Sequence, residues 1–477
     1  MSFDEEYFKS EEFQQLLSSY ENAQTSGNSL FLDADEFVDI ADYYSMNGEA
    51  DKADEAVERG LELFPDDVLL NVFMTRKALN AGDYDEANRR ADQIADKEAP
   101  DYHYLRAEIL IAQGKIEDAD RYLREYGKTV DTDEYLDFVK DVANLYIDYD
   151  VSRKAYEWMG QSVDDDSDDF KELMARTLFG LGKYKDSQRL FNELIDHNPF
   201  STKYWTALAS AQYMDEDYQG AVSSSEYAIA IDPQDPDGLL SKANGLMKLG
   251  NYEEAAEYFG RYYKCCPDDP VGPFNQGICL YNLQRSQEAV DLLSQSLALA
   301  EGDSDAIVQI CQELAFAYSA NGELDRALHA LDRTDRLPCD HVDMFVLRGH
   351  LLLGHNRIED AEAVFRKAMM TSNGDPIVVL RIIVSLLDNQ FVVAAYEMFQ
   401  RFFNQLVAED YPNGHAYMAL CCLEYDKREE CLEHLQKALE LNPSETRSVL
   451  AQVFPDDLPL NQYYEYMRQH FDELKKS

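Results

Sequence analysis

Tryptophan occurs only twice in the 477 residues, and 43 Lys and Arg face 92 Asp and Glu. The formal net charge of −49 repels nucleic acid and anionic membrane surfaces, so neither is expected as a partner. Long apolar runs are missing too. The longest, Ile377–Leu387, is broken by Arg381 and Ser385 and is too short to span a bilayer. No phosphate-cradling glycine motif, nucleophile elbow or paired-histidine zinc motif occurs, so the sequence gives no ground for an enzyme or a cofactor. The eight cysteines show no disulfide-framework spacing and read as reduced thiols. The opening MSFDEEYFKS has acids where a secretory signal needs a basic start. Together these features predict a cytoplasmic protein.

What is present is an apolar periodicity. Hydrophobic residues make up 45% of the chain, too many for a disordered polymer. With 31 Tyr and 23 Phe, these two residue types must supply most of the aromatic packing. Turn-like segments recur along the chain: GDYDEA (Gly82–Ala87), GKIEDA (Gly114–Ala119), GNYEEA (Gly250–Ala255), GELDRA (Gly322–Ala327) and NRIEDA (Asn356–Ala361). Their final small residue belongs to a series: Ala53, Ala87, Ala119, Ala155, Ser187, Ala221, Ala255, Ala289, Ala327, Ala361, Ala394 and Cys431. Most gaps lie within about two residues of 34, a period typical of stacked helical hairpins. A second small residue usually stands twelve positions earlier, as at Ala41, Ala107, Ala143 and Gly349, so that two antiparallel helices can approach closely. Pro65, Pro199, Pro233, Pro267 and Pro443 mark breaks between units, because proline cannot continue a helix.

These residues resemble the tetratricopeptide repeat family. Tyr204–Pro233 carries nearly the whole signature, with Trp205, Ala209, Tyr218, Ala221, Ala228 and Pro233. The resemblance covers residues 34–444. It implies an all-α, right-handed superhelical solenoid of about twelve hairpins, whose first helices line a concave groove. Asp150 replaces the turn glycine in the fourth unit, the eleventh has a nearly all-apolar first helix, and the twelfth has cysteine at the packing position. Residues 1–33 read as an N-terminal capping helix and loop, and 445–477 as C-terminal capping helices, since the ends of a stack must be covered. No long linker divides the array.

The implied function is a non-catalytic scaffold or adaptor that captures a peptide or helix of a partner protein. An acidic, chaperone-like holder of basic or unfolded clients is the alternative, and an enzyme or metal protein the remoter one. Residues 1–100 carry about −17, the most acidic hundred in the chain. Toward the other end, the groove positions are apolar: Val346, His350 and Leu353, then Val379, Ile383 and Leu386, then Ala416, Leu420 and Leu423. Such a patch marks a partner site, a homodimer interface, or a surface covered by the chain's own last helix, with Tyr463, Tyr464, Tyr466 and Phe471. The family also has a clamp for a peptide's terminal carboxylate. Lys140, Asn144 and Lys203 match three of its members, while Leu173 and Ala207 stand in for the other two. Two clusters suggest metal only superficially. Asp164–Asp169 alternates like a calcium loop but lacks the glycine and the closing glutamate. Cys421, Cys422, Cys431 and His434 share one unit, where core packing explains them as well.

Overall fold

A computed structural model describes residues 5–8, 10–26, 32–160, 165–407, 413–455 and 458–475. Among the described residues there is no strand, and helices follow one another as antiparallel pairs. The chain forms two compact units, Met1–Ile231 and Asp232–Ser477.

The N-terminal unit holds six hairpins: Ala34–Met46 with Ala50–Leu63, Val68–Asn80 with Tyr84–Gln93, Pro100–Ala112 with Ile116–Tyr126, Tyr135–Asp148 with Ser152–Met159, Asp168–Gly180 with Tyr184–His197, and Thr202–Met214 with Tyr218–Ile231. The C-terminal unit holds six more: Pro236–Lys248 with Tyr252–Cys265, Val271–Asn282 with Ser286–Leu299, Ser304–Ala320 with Leu324–Asp332, His341–Gly354 with Ile358–Thr371, Pro376–Asp388 with Val392–Leu406, and His415–Glu424 with Arg428–Leu441. Several first helices begin at an Asp or Ser whose side chain accepts a backbone N–H of the opening turn. Asp33 forms a reciprocal capping box with Glu36, and Asp67, Ser167, Ser201, Asp303 and Asp340 act alone.

Each hairpin turns through one residue in the left-handed region. Glycine holds it at residues 48, 82, 114, 182, 250 and 322, with φ between 71° and 78°. Asp150, Glu216, Gln284, Asn356, Gln390 and Asp426 hold it elsewhere, with φ from 57° to 65°. The fourth unit therefore keeps the turn and loses only the glycine.

Five residues after each turn residue comes the small anchor. It is fully buried in the contact between the two helices of its hairpin. Where the anchor is not alanine its side chain bridges that contact: Ser187 Oγ donates to Ala175 O at 2.8 Å and Cys431 Sγ to Ala419 O at 3.3 Å. Gly349 shows how close the helices come, since a Cβ there would lie 2.2 Å from the Phe365 ring. One anchor differs from the sequence reading. Gln390 is the turn of the eleventh hairpin, so the buried anchor is Ala395, while Ala394 is exposed.

At the N-terminus, Phe8, Phe13, Leu17 and Tyr20 pack on Phe37, Ile40 and Tyr44 of the first hairpin. At the C-terminus, Pro443–Val449 and Tyr463–Leu474 pack on Arg428–Leu441 and bury Tyr463, Met467 and Phe471.

Candidate functional site

The anchor spacing fixes which side of each first helix is left uncovered by its own hairpin. The residues fifteen and eleven positions before the anchor are Val38 and Asp42, Val72 and Arg76, and Tyr104 and Glu108 in the first three hairpins. Asn144 is the eleven-before residue of the fourth. In the N-terminal unit all seven line one groove of about 680 Å³, completed by Leu69, Phe73, Lys77, Asp101, Asp141, Leu145, Asp148 and Tyr149 among others. The first helices of four successive hairpins thus contribute one stripe each, because residues three and four apart share a helix face.

The floor is apolar and the rim acidic. Glu108 is only 6% exposed, yet both carboxylate oxygens are satisfied: Arg76 Nε reaches Oε2 at 3.0 Å and the Tyr149 hydroxyl donates to Oε1 at 3.1 Å. Tyr104 donates to Asp141 Oδ2 at 2.9 Å. Lys77 pairs with Asp54. Asp42 has neither hydrogen bond nor ion pair among the described residues. Burial first, then the Asp39 carboxylate, pushes it up to about 6, against the pull of Arg76. Burial also raises Asp39 and Asp141.

The three clamp candidates are scattered among these partners. Asn144 lines the groove, where its Oδ1 accepts from Arg176 at 2.9 Å. Lys140 pairs with Asp137 at 2.7 Å, and Lys203 pairs with Glu172. A terminal carboxylate near Asn144 would meet Asp141 and Asp148, which repel it.

The apolar candidates occupy a different place from the one their register implied. Val346 and Leu353 are core residues of the tenth hairpin. Val379, Ile383 and Leu423 belong to a core shared with Phe399, Leu435, Tyr463, Met467 and Phe471. His350, Leu386 and Leu420 are half-buried. The corrected anchor explains the eleventh unit: Ile383 stands twelve residues before Ala395 and fills the interhelical packing position. Five of the eight, Val346, Leu353, Val379, Ile383 and Leu423, are thus buried in the packing of the chain's own helices.

All eight cysteines are free, and Cys421, Cys422 and Cys431 are buried, with burial pushing Cys421 and Cys431 up to about 12. His434 turns to His415, Nδ1 to Nδ1 at 3.0 Å, with Phe403 against both rings. Among the described residues no group of three or more His, Cys, Asp and Glu could hold a metal ion. Asp164 lies outside the described residues. Asp168 and Asp169 sit in the first turn of Asp168–Gly180, where acids favour the helix dipole.

The tetratricopeptide repeat model matches residues 76–128, 173–236 and 240–304. These three stretches are tetratricopeptide repeats. Intraflagellar transport protein 70A of Danio rerio is 25% identical over 148 residues, 31% of this chain and 22% of that one. Protein FlbA of Caulobacter vibrioides is 24% identical over 229 residues, 47% of this chain and 38% of that one. The chain thus spans well under half the length of either relative. A tetratricopeptide repeat protein from Parabacteroides merdae aligns with a TM-score of 0.40 at 13% identity, over 52% of this chain and 97% of its own. A tetratricopeptide repeat protein from Thermus thermophilus aligns with a TM-score of 0.31 at 21% identity, over 39% and 100%. No described helix is long and apolar enough to cross a membrane.

Val38, Phe73, Tyr104, Glu108 and Tyr149 were missed as site residues from the sequence. The signal for three of them was present, because the register that gives Val346 and His350 in the tenth unit also points to Val38, Tyr104 and Glu108 in the first and third. Phe73 lies beside the stripe on Val68–Asn80 and Tyr149 just past the end of Tyr135–Asp148, and no fixed offset marks them.

Proposed function

We propose that the chain is a non-catalytic adaptor that captures a peptide segment of a partner protein in the groove formed by Ala34–Met46, Val68–Asn80, Pro100–Ala112 and Tyr135–Asp148. The observation that carries this reading is the continuity of the groove across the first helices of four successive hairpins, with apolar floor and polar rim on the same stripes. An extended or helical segment laid along it meets side chains at regular intervals, so many modest contacts sum over one partner. In this reading the terminal helices serve as caps that keep the end hairpins covered, leaving the groove as the binding face.

A photoreactive benzoylphenylalanine in place of Phe73 tests occupancy without regard to charge. Irradiation in the source cells should give a discrete cross-linked partner. The same group in place of Tyr227, exposed on a second helix outside the groove, should not give that product. Identical products from both positions would remove the groove as the site.

A further inference from the structure

Whether the groove takes any segment or one class of segment depends on how its charges are already spent. The cations lining it are Arg76 and Lys77, and each is held by a groove carboxylate, Glu108 and Asp54. Asp148 is met by Arg176 from the fifth hairpin at 3.3 Å. Three further carboxylates form no ion pair among the described residues, although Arg76 acts on Asp42 from a distance. Asp42 and Asp101 have no hydrogen bond or ion pair among the described residues, and Asp141 receives only the Tyr104 hydroxyl. They come from three different helices and share the groove with half-buried apolar side chains, Val38, Leu69 and Phe73. An anionic segment is repelled at each of these points. A neutral one would leave carboxylates partly dehydrated and without a counter-charge.

We propose that the occupant is a cationic segment of a partner protein, with Lys or Arg side chains spaced to reach Asp42, Asp101 and Asp141 and apolar residues between them seated on Val38 and Phe73. This rests on the peptide-capture reading and names its ligand class. The rise of Asp42 fits the geometry, since a carboxylate that has lost water without gaining a cation gains most when one arrives. Charge complementarity across a groove also speeds encounter and weakens with salt.

The test uses the full chain and a short acetylated, amidated synthetic peptide of repeated Lys-Ala-Leu, labelled for fluorescence anisotropy. Matched peptides carry Gln or Glu in place of every lysine. The lysine peptide should bind, and the Gln and Glu peptides should bind at least about tenfold more weakly. The double variant Asp42→Asn/Asp141→Asn should lose about tenfold for the lysine peptide. Glu359→Gln/Glu362→Gln removes the same charge from an exposed face of Ile358–Thr371 and should stay within about twofold of the parent. Equal losses in the two double variants would reduce the attraction to the net charge of the chain and overturn the proposal. Equal binding of the Gln peptide would overturn the cationic class while leaving capture intact. Failure of the lysine peptide to bind would also overturn it. Capture itself stands or falls on the Phe73 cross-link, which does not depend on charge.

Discussion

Ile383 is fully buried among Val379, Phe399 and Leu435, where a carboxylate would find neither water nor a cation. Ile383→Asp is therefore expected to cost roughly 4 kcal/mol or more and to unfold the C-terminal hairpins. Thermal melts followed by circular dichroism should show a transition lost or displaced well below that of the parent. An unshifted melt would mean the side chain lies on a surface after all. The sequence misplaces this residue for a local reason. In most units a small residue on the first helix marks where the two helices touch. PIVVLRIIVSLL has none, and FVVAAY offers two adjacent alanines as the second mark. Register was left to a choice between Ala394 and Ala395, and one residue on a helix is a rotation of about 100°. At Asp42 no such choice arises, because Ala41 and Ala53 are both buried and fix the register of the first hairpin.

Among the elements, the hairpin turn shows what was legible and what it costs. Glycine announces the turn at six places, and the repeat period carries the reader across the other six, where Asp, Glu, Gln or Asn adopts the same left-handed φ. A non-glycine residue there costs about 1 kcal/mol, less for Asn and Asp, whose short side chains bond locally. Glu216, Gln284 and Gln390 have no such relief of type. Gln390→Gly should stabilise the eleventh hairpin by roughly 0.5–1 kcal/mol, after allowing for the larger entropy glycine loses on folding. Hydrogen exchange across Pro376–Leu406 should slow accordingly, while unchanged or faster exchange would show that the surrounding turn carries no strain at this φ. The prolines were legible for the opposite reason. Each of the five lies within two residues of the end of a second helix, where a missing N–H costs least.

At the scale of the whole molecule, the first hairpin and the paired histidines of the twelfth should answer acid with opposite signs, while Glu445 on the adjoining Pro443–Val449, which burial raises to about 7, offsets the histidines. Asp42 titrates near 6 when folded, above its ordinary value, so the folded state binds the proton more tightly and gains stability as pH falls through that value. Asp39 and Asp141 shift in the same direction. In the twelfth hairpin, burial and then His434 lower His415 to about 4, and burial lowers His434 as well. There the unfolded state takes the proton first, and stability is lost as pH falls from the ordinary histidine range toward 4. Between pH 7 and pH 5 the shifts correspond to a gain of about 1 kcal/mol for Asp42, discounted for screening, and a loss of roughly 2 kcal/mol for His415. Hydrogen exchange corrected for intrinsic rate should show Ala34–Met46 becoming more protected at pH 5 and, in a Glu445→Gln background that removes the opposing titration, His415–Leu441 less. A uniform response along the chain would contradict both assignments. The turns do divide between the units: four of the six that lack glycine lie between residues 232 and 477. In a row of hairpins that hold only their neighbours, opening begins where closure is weakest. A protease or unfolding machine meeting this chain would then find its purchase in the later repeats, and the last part to be consumed would be the groove. Turnover of the molecule and loss of its binding face become separate events in time.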